Sequence, residues 1–95
     1  MLNLGLNYVV PTELYTLKVV EGNELNGREK NKAILGHDYS VKNKLFDKPV
    51  KLGDKILVND VEIKVAGFYE EVGNPQDDSN IYMNYEEHLM IYRLL

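Results

Sequence analysis

The sequence contains no cysteine and no tryptophan, and only three prolines among its 95 residues. Without cysteine there is neither a disulfide framework nor a thiolate metal site. Positive charge is also scarce: eleven Lys and Arg stand against fifteen Asp and Glu, for a net charge of −4. These cations are scattered, whereas a nucleic-acid surface needs a clustered basic face to meet phosphates, so nucleic acid is not an expected partner. No apolar run approaches the roughly 18–20 residues that cross a bilayer as a helix. The opening MLNLGLNYVVPTE lacks the basic start and small-residue cleavage site of a signal peptide. As given, the chain reads as soluble.

What is present suits one small domain. With 44% hydrophobic and 27% charged residues, the composition is that of an ordinary globular protein. A chain of this length buries only about 60–65% of the surface it would expose unfolded, which sets a modest stability. Residues 4–10 suit a short strand closed by Pro11. Thr12 can cap a helical turn carrying Leu14 and Leu17 on one face, ended by Gly22 directly or after a short strand. The polar run 26–32 reads as a loop, and KAILG (32–36) as a short buried strand. Residues 37–46 read as a helix, with Asp38 capping its first turn, Val41 and Leu45 on one face, and Lys42 and Lys44 near its end. Pro49 stops it.

The stretch from Lys55 to Tyr69 carries the clearest pattern. Two apolar runs flank Asn59-Asp60, residues that tolerate the positive φ of a tight hairpin turn. In the second run Val61, Ile63, Val65, Gly67 and Tyr69 alternate with Glu62, Lys64, Ala66, Phe68 and Glu70. The second set begins polar and ends apolar, so another element is expected to cover its far end. Residues 73–80 form a polar loop by composition, and 81–84 suit a strand. Asn84 with Glu87 resembles a capping box, and Tyr85, Leu89 and Tyr92 then share a helical stripe. The last residues, YEEHLMIYRLL (85–95), carry no Gly or Pro stop signal. They suit either a longer protein cut short or a docked C-terminal helix. The expected fold is a small α+β domain with a central antiparallel β-hairpin and two or three short helices.

Chemistry is hard to find. His37 and His88 lie far apart, with no companion ligands at helical or hairpin spacing, so no metal site is expected. Ser40 and Ser79 lack a nucleophile-elbow setting. Asp77 and Asp78, with Glu70 and Glu71, fall short of the alternating acids and central glycine of a calcium loop, and a solvated acidic loop accounts for them better. The glycines stand singly and form no phosphate cradle. Tyr69, Tyr82, Tyr85 and Tyr92 cluster late, more as core edges than as a binding surface. Neither a catalytic group nor a cofactor is called for.

The order of these pieces resembles a known family. VVEGNEL, then KAILGHDYSVKNKLF, then VKLGDKILVNDVEIKVAGFYEEVG, then DDSNIYMNYEE is similar to the extracytoplasmic core domain of MacB-like and FtsX-like ABC transporter permeases. Glu21-Gly22, Ile34-Leu35-Gly36 with Leu45-Phe46, Leu52-Gly53-Asp54 with Val65-Ala66-Gly67, and Asp78 with Asn80 to Met83 occupy that family's four motif positions. Asn23 replaces its usual Arg, Asn84 stands where Pro is common, and the stretch from Gly36 to Leu45 is longer and lacks an alanine. The resemblance implies a non-catalytic domain, a fragment of a permease lying outside the membrane. Its partners would be the rest of the permease and its cytoplasmic ATPase. A second copy, a peptide, a lipoprotein or a cell-envelope protein could also meet it. The loop bearing Tyr69, Glu70, Asn74, Gln76, Asp77 and Asp78 is the candidate contact surface. The rival reading is a free-standing cytoplasmic β-rich interaction module.

Overall fold

The structure, a computed structural model, describes residues 2–4, 6–11, 17–25, 29–85 and 88–94. Their fold is mostly β. Eight strands join one mixed sheet: β1 (Leu2–Leu4), β2 (Leu6–Pro11), β3 (Val19–Gly22), β4 (Lys32–Leu35), β5 (Lys55–Val58), β6 (Val61–Tyr69), β7 (Ile81–Tyr85) and β8 (His88–Leu94). The order is β1-β5-β6-β4-β7-β8-β2, with β3 also on β6. The strands β1–β5 and β4–β6 pair in parallel, the others antiparallel. The two end strands of that order, β1 and β2, are separated in sequence by Gly5 alone. Two residue steps span at most about 7 Å, so the end of β1 lies close to the start of β2.

The expected hairpin is present: Asn59 and Asp60 take φ of 49° and 70° and join β5 to β6. On β6 the expected alternation fails past Val65. The register against β4 jumps from Ala33↔Val65 to Ile34↔Gly67, a bulge that gives β6 one extra residue and reverses its faces. Phe68 therefore joins Ile63 and Val65 in the main core, with Ala33, Leu35, Ile56, Val58 and Ile81. Tyr69 turns the other way, to a second cluster with Ile34, Tyr82 and Ile91. Leu17, Val19 and Leu25 cover that cluster, which supplies the element expected over the far end. Gly22 ends β3 at φ 82°, where a Cβ would run into the Ala66 carbonyl. Only glycine allows β3 to lie this close to β6.

The expected helices are not seen among the described residues. Over 37–46 there is a 3-10 turn, His37–Ser40, and then bends. Asn43 sits at φ 59°, which an α-helix does not admit. Asp38 does not cap the turn; no side chain does. Leu45 and Phe46 still pack on the main core, so their apolar character is used without a helix. The strand expected at 81–84 is present as β7, and the helix expected after it is replaced by β8. Asn84 pairs with Leu89 across that ladder and its side-chain amide donates to the Glu29 carbonyl at 2.8 Å. A second 3-10 turn, Asp77–Ser79, lies inside the polar loop. The Thr12–Leu14 turn falls outside the described residues.

Candidate functional site

Beyond β4 and β6 a small group of ionisable side chains comes together. Segment 36–41 leaves β4, segment 71–73 leaves β6, and the two are locked to 77–80. Gly36 N–H donates to the Asn80 carbonyl at 2.9 Å, and the Tyr39 hydroxyl donates to the Ser79 carbonyl at 2.8 Å. The Gly36 Cα lies so near the Asp78 backbone that a Cβ there would meet the Asp78 carbonyl group. Asp78, buried, accepts from the Val72 and Gly73 amides through its two oxygens at 2.8 and 2.9 Å. A carboxylate holding two backbone N–H groups is a strong local clamp. It fixes the chain just beyond Glu71.

Glu71 is thereby set beside the 3-10 turn of His37 and Asp38. His37 Nδ1 lies 3.2 Å from Asp38 Oδ1 and 3.9 Å from Glu71 Oε2. Lys44 Nζ lies 3.2 Å from the same Asp38 oxygen. Asp38 is buried, its side chain only 4% exposed, whereas Lys44 is 44% and Glu71 57% exposed. A buried carboxylate is costly unless a cation compensates it, and Lys44 reaches in from solvent to do so. A cavity of about 70 Å³ lies between Asp38, Lys44, Glu71, Gly73, Pro75 and Asp78.

Burial pushes the Tyr39 and Tyr69 hydroxyls well above the ordinary phenol range, for Tyr69 with added repulsion from Glu24 and Tyr82. Neither phenol is set up as a proton donor near neutrality.

The six loop residues singled out from sequence divide. Tyr69 is buried, edge-on to Tyr82 with ring centroids 4.6 Å apart, and Asp78 is the buried clamp described above. Glu70 and Asp77 are half-buried, and Asn74 and Gln76 are exposed. The Gln76 amide donates to Asn74 Oδ1 at 2.9 Å, a local turn that holds both at the loop tip. Sequence reading missed the His37–Asp38–Glu71 group. Its third member lies two residues beyond β6, and the β4–β6 pairing together with the bonds to 77–80 brings it to the turn. The adjacent His-Asp pair was the one visible signal.

Among known proteins, the chain is 31% identical over 83 residues to a protein from Methanocaldococcus jannaschii described as an uncharacterized ABC transporter permease. The match takes in 81% of this chain and 20% of that protein, so the chain spans about a fifth of its relative's length. No family model matches the chain, and no solved structure matches it. Among the described residues no helix is long and apolar enough to cross a membrane. The similarity supports a relationship to an ABC transporter permease.

Proposed function

We propose that the chain is a non-catalytic extracytoplasmic domain of an ABC transporter permease of the MacB-like and FtsX-like kind. The observation that carries this reading is the similarity to the archaeal permease across most of the chain. The four motif groups in their family order lend it support. In such a protein a separate cytoplasmic ATPase hydrolyses ATP, and the membrane helices pass the resulting motion to this domain. The domain moves against a neighbour or grips a peptide, lipoprotein or other envelope protein.

The fold suits that work. A sheet whose end strands are joined through one residue, with side chains buried on both faces of β4, β6 and β7, transmits displacement with little internal yielding. The loop tip at Asn74 and Gln76, exposed and pinned at its base by Asp78, is the contact element we assign. Enzymatic activity has no part in this reading.

The test is fractionation of the intact gene's product, followed with an antibody raised against the 95-residue chain. We expect it to sediment with membranes and to resist alkaline carbonate extraction. Recovery in the soluble fraction would favour a free-standing interaction module instead.

A further inference from the structure

We propose that His37, Asp38 and Glu71 form a binding site for a zinc-class divalent metal, in which Lys44 holds the cation position when the metal is away. The donor atoms of the three residues all lie within 4.8 Å of one another. Ligands at about 2.0–2.2 Å from a tetrahedral zinc stand about 3.3–3.6 Å apart. The two separations from His37, 3.2 Å to Asp38 and 3.9 Å to Glu71, bracket that range. The longer one involves the most exposed side chain of the three, which has room to close.

The donors also select among metals. One imidazole nitrogen with two carboxylates suits zinc and its first-row neighbours, while calcium wants six to eight hard oxygens. The arrangement is held from behind. Asp38 sits on a turn locked to 78–80, and the Asp78 clamp on Val72 and Gly73 fixes the residue after Glu71. These bonds hold the backbone that carries the three side chains.

Lys44 is the second observation. Its ammonium lies 3.2 Å from the Asp38 oxygen that faces His37, which marks that point as one where the fold requires a positive charge. The side chain is 44% exposed and can withdraw into water without unpacking the core. On binding, two carboxylates and a neutral imidazole take up the dication with no net charge left at the site. The Lys44 ammonium moves to solvent still protonated.

Titration of the 95-residue protein with zinc chloride by calorimetry, with cobalt(II) absorption as a spectroscopic reporter, tests this. We expect one metal per chain. Glu71→Gln and His37→Ala should each weaken binding by at least about tenfold, Lys44→Gln should tighten it, and His88→Ala should leave it unchanged. Glu71→Gln, at an exposed position, still reads the site if His37→Ala does not fold. Absence of one-to-one binding, binding that survives Glu71→Gln or depends on His88, or no gain in Lys44→Gln would overturn the proposal. The permease reading does not rest on it, and either result leaves fractionation to decide that separately.

Discussion

Strands β5 and β6 are linked by Asn59 and Asp60, and strands β7 and β8 are separated by positions 86 and 87. The two hairpins thus share a two-residue link and an antiparallel ladder, yet their sequences look different. Along the β5–β6 ladder, Lys55, Glu62 and Lys64 are exposed while Ile56 and Ile63 are buried. One face meets water, and the period of two is written in polarity. In β7, Ile81 enters the main core and Tyr82 the second cluster, at 0% and 1% exposure. With both faces covered there is no polar set to mark the alternation. Tyr85, Leu89 and Tyr92 then fall at helical spacing by chance, and nothing local contradicts them.

The same contrast runs inside β6. From Glu62 to Val65 it alternates as the sequence leads one to expect, with Val61 exposed at its start. Its inner half, past the bulge at Ala66, is buried on both faces and reverses the expected orientation of Phe68 and Tyr69. So the hairpin, β4, β7 and the turn at Asn59-Asp60 are legible from the sequence. The bulge is not, because it is set by pairing with β4 from a distant part of the chain. The stretch 37–46 fails for another reason. Its apolar residues do pack inward, but Asn43 at positive φ prevents an α-helix, and the Asp38 carboxylate is taken by Lys44 and His37. Of the candidate site, the exposed loop tip was visible in composition. The His37–Asp38–Glu71 group depends on tertiary pairing and was not.

Substitutions at the two hairpins should separate most sharply where both faces are covered. Ile81→Ala should destabilise the protein by about 2–5 kcal/mol, the range for a buried aliphatic truncated to alanine, measured by urea unfolding. A cost below about 1 kcal/mol would break the comparison by showing β7 to be loosely packed.

The polar loop should respond next. Asp78→Ala removes the acceptor for two backbone N–H groups and should cost about 2–3 kcal/mol. Asp78→Asn should recover part of that, since one amide oxygen still accepts. Equal losses in the two variants would deny the clamp.

Alkaline pH probes the covered regions through Tyr39 and Tyr69. Their folded-state pKa values are raised by burial. Below about 10, the ordinary phenol value, both states hold the proton and stability does not depend on these groups. Above it the unfolded chain releases protons that the folded one retains, so stability should fall as pH rises. Melting temperature followed across that range, with tyrosinate absorbance, checks the sign. Tyr39→Phe should blunt the fall.

The smallest effect belongs to the open hairpin. Val61 is 50% exposed at the start of β6, and Val61→Ala should shift stability by no more than about 0.5 kcal/mol in the same urea measurement. A larger loss would mean that the tip of this hairpin is covered after all.

The absence of cysteine from these 95 residues makes the most direct test of the central claim a clean one. Gln76→Cys, placed at the exposed loop tip in the product of the intact gene, with any cysteine elsewhere in it replaced, would be treated in whole cells with a membrane-impermeant maleimide. An extracytoplasmic permease domain predicts labelling without lysis. Labelling that appears only after the cells are broken would contradict it.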